Sequence, residues 1–374
     1  MSDDEVAQRS DPLTVAAGGG ALSCGDPAVA VFAPALLLVI ELHDGGDEDE
    51  VHLHAGGQGY WVSRMIRALG GRAVPCAPVG GEPGVALRAI IAADGFDGRL
   101  TEAAHPNAVV IEDRRSTDRR VITATEVPRL GRHEVDDLYS STIGAAVSAG
   151  VCVLAGSQGA PALPDDVYRR LASDLRHNGV CVVADLSGGP LRAALRGGVD
   201  VVKLSRDELQ ADGWCDGDNL LGVTTGIRRL RRAGAHAVVI SRSERSTICG
   251  FEDQLIEVRA PVLEVVDGRG GGDSMTAALS VAAAGGVAFD DALRVAAAAA
   301  SLNVARHGLG TGRRDAIEEL ARSVELKPVK FRKNATLAEL DTASKAELYD
   351  LARDRNLPGR SRMNRAQLIT ALRA

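Results

Sequence analysis

Short apolar runs alternate with helical patterns through the middle of the chain. Between residues 150 and 245 the runs VCVLAG (151–156), VCVVADLSG (180–188), VDVVKLS (199–205) and HAVVISRS (236–243) are rich in Val and Ile. Several consecutive apolar positions of this kind suit strands buried on both faces. The segments between them follow a helical period instead. PDDVYRRLASDLRHNG places Pro164 at a first helical position, aligns Val167, Leu171 and Leu175 along one side and stops at Gly179. NLLGVTTGIRRLRRAG behaves similarly, though less regularly, and ends at Gly234. Such strand–helix–strand units wind a largely parallel sheet, with ligands gathering at the carboxyl ends of its strands.

From 28 to 125 the pattern is mixed, with alternating strands and one clear helix, YWVSRMIRALGG. NAVVIEDRRSTDRRVITATEV alternates polar with apolar residues, which predicts a two-stranded antiparallel element with one wet face, suited to a lid. After residue 273 the chain turns helical. DSMTAALSVAAAGG comes first, then DDALRVAAAAASLNVARHG, with Asp290 as its N-cap and Gly308 near its close.

A length of 374 residues accommodates one large α/β domain and an appendage. The opening MSDDEVAQRSDPLTVAAGGG is acidic and lacks the charged and apolar regions of a signal peptide, so residues 1–27 read as a disordered leader. The longest apolar stretch near it, AVAVFAPALLLVIEL, has 15 residues with a proline inside, too short to cross a bilayer. A cytoplasmic protein without a membrane segment is expected. The six cysteines, Cys24, Cys76, Cys152, Cys181, Cys215 and Cys249, are scattered singly and read as reduced core thiols. His52 and His54 alternate along a predicted strand with no third ligand beside them, which argues against a metal site.

The stretch with most chemistry is VVDGRGGGDSMTAALSVAAAGG, residues 265–286. A strand end runs into Gly268, Arg269, Gly270, Gly271 and Gly272, and Asp273 then opens a helix. Consecutive glycines let backbone N–H groups converge, and a helix N-terminus adds its positive dipole, so the pattern makes an anion hole. A carboxylate beside an anion hole has a use where it takes a proton from an alcohol attacking a phosphoryl group. An ordinary first-turn acid on a glycine-capped helix is the plainer reading of the same residues. The pattern is not a P-loop, since G-x-x-x-x-G-K-[ST] is absent, nor a dinucleotide fingerprint.

DGRGGGD followed by a small-residue helix resembles the C-terminal signature of the PfkB/ribokinase-type carbohydrate kinases, usually D-T-x-G-A-G-D. HAGGQGYWVSRMIRALGG resembles their N-terminal G-G-x-G motif. GSQGAPALPDDVY, ADLSGGPL, VVKLSRDEL and VVISRSERSTI resemble successive blocks of the 1-phosphofructokinase and tagatose-kinase branch, so the likeness runs over roughly 28–325. It implies an α/β fold, a three-layer α/β/α domain at 28–326 with a small β lid. It also implies ATP with Mg²⁺ and phosphorylation of a hydroxyl on a sugar or sugar phosphate. Carried over by residue, the resemblance makes Asp273 the catalytic base and the Gly270, Gly271 and Gly272 amides the cradle of the transferring group. Lys203 and Ser241 belong to the nucleotide site. Glu208 matches the acid of N-x-x-E that holds Mg²⁺ through water. Gly56, Gly57 and Trp61 face the sugar, and Arg119 stands where that branch meets a substrate phosphate. A homodimer through the lid is a further expectation.

Departures concentrate at the substrate and nucleotide sites. Leu37 replaces the family's usual aspartate, Gln58 the lysine, Trp61 and Ser205 asparagines, Ser243 and Ser246 glycines, and Gly268 a threonine. Two readings follow: an active kinase with an altered acceptor, in which Trp61 stacks on a flatter substrate, or a scaffold that kept the fold and lost turnover.

The charge changes sign near the end. Residues 327–374 hold 11 Lys+Arg against 5 Asp+Glu, on a body with 32 against 45. KPVKFRKNA reads as a basic linker, 327–335. In 336–374, Ser344 with Glu347 and Asn364 with Gln367 are capping boxes for two short helices, sharing Leu348, Leu351, Leu357, Leu368, Ile369 and Leu372 as a core. This resembles SAP-like and Rho N-terminal modules. Arg353, Arg355, Arg360, Arg362 and Arg365 are then candidate nucleic-acid contacts, with a solvated basic face or a protein-docking hairpin as the alternative.

Overall fold

The computed structural model describes residues 27–116, 119–157, 161–217, 219–243, 245–306, 308–329, 340–341, 343–354 and 357–373. The leader, up to its last residue, and the linker from 330 on lie outside them. The chain enters through β1 (Ala28–Phe32), forms a hairpin of β2 (Leu37–Asp44) and β3 (Asp49–Gly56), and returns through α1 (Gln58–Ala68) to β4 (Arg72–Val79). The long apolar stretch is therefore two strands of two different sheets, parted at the turn that holds Pro34. Next come α2 (Gly81–Ala93), β5 (Arg99–Glu102), β6 (Ala108–Asp113) and β7 (Arg120–Ala124). Helix α2 corrects the expectation of one helix in this region. It begins GEPG, a poor helical signal, yet Pro83 lies in the first turn, where its missing N–H breaks no bond.

Regular alternation follows: α3 (Arg132–Ala149), β8 (Val151–Ala155), α4 (Asp165–His177), β9 (Cys181–Asp185), α5 (Gly188–Gly197), β10 (Val199–Ser205), α6 (Arg206–Ala211), α7 (Leu220–Arg232) and β11 (Ala235–Arg242). The hairpin β12 (Arg245–Phe251) and β13 (Gln254–Arg259) then precedes α8 (Gly271–Ala284), α9 (Phe289–Val304), α10 (Arg314–Ala321) and β14 (Glu325–Pro328). Two caps move by a residue or two from expectation. Pro164 is the N-cap of α4 rather than its first residue, and Ala288, not Asp290, caps α9, with Asp290 inside the first turn where its charge suits the helix dipole.

The main sheet has the order β14-β13-β12-β11-β10-β9-β8-β1-β4-β5. Strands β11 through β5 are parallel neighbours, and β12, β13 and β14 add an antiparallel margin. One face packs on α1, α8 and α9 and the other on α4, α5 and α7, which gives three layers. β14 carries the sheet to Pro328, so the expected boundary at 326/327 falls inside a strand.

A second sheet, β3-β2-β6-β7, forms the lid; the expected antiparallel pair β6–β7 is its outer half. Register sets Glu41, His54 and Glu112 on one face and Ile40, Leu42, Val51 and Leu53 on the other. Val51 and Leu53 are exposed.

At the C-terminus α11 (Lys345–Asp354) and α12 (Arg365–Arg373) pack through Leu348, Leu351, Leu368, Ile369 and Leu372, with Leu357 half-buried against them. The Asn364–Gln367 box is reciprocal, at 2.8 and 2.9 Å. The Ser344 hydroxyl donates to Asp216 at 2.7 Å, and Leu221 of α7 joins the small core, so the two helices dock on the body; the Glu347 side chain of the other expected box lies outside the described residues.

Candidate active site

The glycine run is a tight turn at the mouth of α8. Gly270 is its N-cap, with φ 72°, a conformation that favours glycine, and no side chain caps this end. The first-turn N–H groups of Gly271, Gly272 and Asp273 thus meet no capping side chain, and Asp273 stands in the first turn. A β-carbon on Gly272 would lie 2.1 Å from Lys203 Nζ, so only glycine lets that ammonium group sit against the turn.

Lys203 reaches this point from the carboxyl end of β10. It is buried and lies 3.5 Å from Asp185, the last residue of β9, whose other oxygen accepts the Thr276 hydroxyl of α8 at 2.6 Å. Burial alone would lower the lysine; the carboxylates of Asp185, Glu208 and Asp273 outweigh it and hold the ammonium above its ordinary range. Burial also raises Asp185, against the pull of Lys203. Asp273 is pushed up to about 7, first by burial and then by the Asp185 charge, with Lys203 opposing. Its carboxyl therefore exchanges a proton near neutral pH.

Glu208 sits nearby as the N3 residue of α6, where one oxygen accepts from the Ser205 amide at 2.8 Å and hydroxyl at 2.7 Å. Ser205, where the family has asparagine, thus makes a capping box. Ser241 ends near the same edge, its hydroxyl 3.4 Å from the Leu204 carbonyl. Ser243 adopts φ 50°, a backbone that glycine takes more easily, which fits its replacing a family glycine. Ser246 lies further along, accepting from Arg242 and donating to Glu257.

The lid's polar face supplies the opposite wall. Arg114 lies 3.7 Å from Asp267 on the loop leading to the glycine turn, and Arg269 grips Asp267 with two bonds, at 3.0 and 2.7 Å. These cations keep Asp267 below its ordinary value against the effect of burial. Arg119 does not stand free for a substrate phosphate: it makes a bidentate pair with buried Glu112, with Nε at 2.6 Å, and this holds Glu112 low despite burial. His54 is lowered by burial, with Glu41 opposing.

Gly56 closes β3 and Gly57 caps α1. Gln58, the first residue of α1, accepts from Gly156 N–H at 2.7 Å and so ties the helix to the end of β8. Leu37 opens β2. Trp61 is 9% exposed and packed between His54 and Tyr60.

Three residues here went unremarked in the sequence. Asp185 had a local signal, an acid closing an apolar strand. Thr276 and Asn303 had none, because their partners are 91 and 34 residues away. Asn303 is fully buried; its amide donates to the Arg269 carbonyl at 2.7 Å and accepts from Gly310 N–H at 3.0 Å.

In the tail, Arg365 donates to the carbonyls of Ala343 and Asp341, and Arg360 to that of Leu357. Arg365 thus ties the start of α12 to the segment before α11, while Arg360 closes a local turn in the connection. Arg362 is exposed, Arg353 is half-buried and Arg355 lies outside the described residues.

The family profile for pfkB family carbohydrate kinases matches residues 37–316. An ATP-dependent 6-phosphofructokinase isozyme 2 of Mycobacterium tuberculosis is 28% identical over 270 residues, which cover 70% of this chain and 78% of that protein. The bifunctional protein HldE of Gluconacetobacter diazotrophicus is 30% identical over 265 residues, covering 70% of this chain and 54% of that one. Among solved structures, phosphofructokinase-2 of Escherichia coli in complex with potassium superposes with a TM-score of 0.69 at 22% identity, over 79% of this chain and 98% of that one. Ribokinase of Arabidopsis thaliana, complexed with ribose and ATP, gives 0.61 at 19%, over 80% and 99%.

Proposed function

The chain belongs to the pfkB family of carbohydrate kinases, and from that premise we propose that it transfers the terminal phosphoryl group of ATP to a hydroxyl of a sugar or sugar phosphate, with Asp273 as general base. The observation that carries this reading is a carboxyl near neutral pKa beside an uncapped glycine turn. Asp273 takes the hydroxyl proton as the oxygen attacks, and the Gly271 and Gly272 amides with Lys203 stabilise charge on the phosphoryl oxygens. The Gly270 turn aims these donors, and Ser241 borders the nucleotide.

Mg²⁺ fits the donor set in a limited way. Among the described residues no three side chains group to hold a metal alone; Glu208 and Asp185 would hold the ion together with the nucleotide phosphates. When bound it neutralises phosphate charge. The carboxylates crowded enough to raise Asp273 are a place where a dication is favourable.

The acceptor lies between the lid's polar face and the glycine turn, against Gly56, Gly57 and Trp61. Arg119, tied to Glu112, meets a substrate phosphate only by sharing that carboxylate. The lid's apolar face, with Val51 and Leu53 exposed, is the surface for a homodimer. Residues 336–374 are read as a helical module whose Arg353, Arg355, Arg360, Arg362 and Arg365 would meet nucleic-acid phosphates; of these Arg362 is exposed. Among the described residues no helix is long and apolar enough to cross a membrane.

A coupled assay with Mg-ATP over sugars, sugar phosphates and nucleosides tests the assignment. Turnover of one acceptor that Asp273→Asn abolishes supports it; ATP binding without turnover of any acceptor favours the scaffold reading.

A further inference from the structure

A cationic cavity, of about 380 Å³, opens between α1 and the Gly310–Gly312 turn. Arg64, Arg67 and Arg306 line it, together with Asp94 and Phe96. The guanidinium of Arg64 lies 5.6 Å from the centre of the Trp61 ring, and that of Arg67 the same distance from Phe96. Stacking on a ring fixes the plane of a guanidinium while leaving its N–H groups for another partner. Among the described residues none of the three arginines has a carboxylate at ion-pair distance. Asp94, on the same wall, accepts the Tyr60 hydroxyl instead. Three positive charges against one negative match a compact dianion.

The Gly310 wall is also connected to the site of chemistry. Gly310 N–H donates to Asn303, and the same amide donates to the Arg269 carbonyl, immediately before the Gly270 turn. One buried side chain therefore bonds the cavity wall at one end and the phosphoryl cradle at the other. A β-carbon on Gly310 would lie 2.5 Å from the Trp61 carbonyl, so this wall lies close against α1.

We propose that the cavity is a binding site for a small phosphate monoester dianion, distinct from the acceptor and nucleotide sites, and that its occupancy is communicated through Asn303 to the glycine turn. Arg67 and Arg306 clamp the phosphate and Arg64 closes it from behind. Coupling between two such sites is reciprocal, so ATP and the dianion change each other's affinity by one factor.

Inorganic phosphate serves as the probe, titrated calorimetrically into the full-length protein and into Arg67→Ala/Arg306→Ala. A saturating non-hydrolysable ATP analogue keeps the cradle filled. Both replaced side chains are exposed, and a thermal melt confirms folding; Arg67→Gln is the second variant. The wild type should bind phosphate and the double variant at least about 10-fold more weakly, two charge-assisted contacts being removed. Superimposed isotherms, or no binding by the wild type, overturn the site. ATP affinity, measured without the analogue, should shift with phosphate in the wild type and not in the double variant. The same shift in both is competition at the cradle and overturns the coupling, as does no shift in either. Neither readout requires turnover, so an inactive enzyme leaves the test intact.

Discussion

Asp273 concentrates the pH behaviour of the molecule. Since its carboxyl is raised to about 7, the base is formed only above that pH, and kcat/KM for the best acceptor should climb through the neutral range and level off above it. A rate flat between pH 6 and 8 would remove the base from Asp273. Stability runs the other way. The folded protein keeps a proton that the unfolded chain releases above about pH 4, so this residue's contribution falls as pH rises from there to about 7. Asp273→Asn lacks that slope, keeps the first-turn geometry, and should lose on the order of 10² to 10⁴ in rate without a lower melting temperature at pH 8. Asn303→Ala is expected to do the opposite. Removing the amide leaves the Arg269 carbonyl and Gly310 N–H unpaired, costing about 1–3 kcal/mol in a denaturant melt and weakening ATP binding. Fructose 6-phosphate should be a poor acceptor, because Leu37 offers no hydrogen bond, Trp61 at most one indole donor in place of an amide, and the Gln58 carbonyl is already engaged; efficient turnover in the coupled assay would contradict this. At this scale the sequence was legible where chemistry is contiguous. GRGGGD and Asp273 stand in one stretch, whereas the Arg119–Glu112 pair was not visible because it forms only when β6 and β7 pair.

Among elements, the strands of the parallel sheet were readable because burial on both faces leaves continuous apolar runs. Helix α2 and the partners of the lid strands were not: glycine and proline hide the first, and register between β2 and β6 is a tertiary property. The C-terminal helices show the same limit. Their mutual packing was visible in the leucine spacing, but Leu221 lies more than a hundred residues earlier. Deleting residues 330–374 should leave a cooperatively folding body whose melting temperature drops by a few degrees, since the loss includes the Leu221 contact and the Ser344–Asp216 bond. Loss of the cooperative transition would mean that the module belongs to the core.

On the scale of the whole molecule, an acidic body carries a basic end. Any affinity for nucleic acid should therefore reside in the tail and fall steeply between about 50 and 200 mM salt, as counterion release requires. Retention measured at both salt concentrations, for the full chain and the shortened body, checks this; binding by the body alone would place the contact elsewhere. The order of the main sheet has a further consequence, for synthesis. β14 is made after every other strand, yet it covers the outer side of β13. While the ribosome is still producing α8, α9 and α10, the nascent sheet presents β13 as an open edge able to pair with a neighbouring chain. Release of residues 325–328 closes that edge, so the last four sheet residues to emerge end the interval in which the newborn chain is most prone to aggregate.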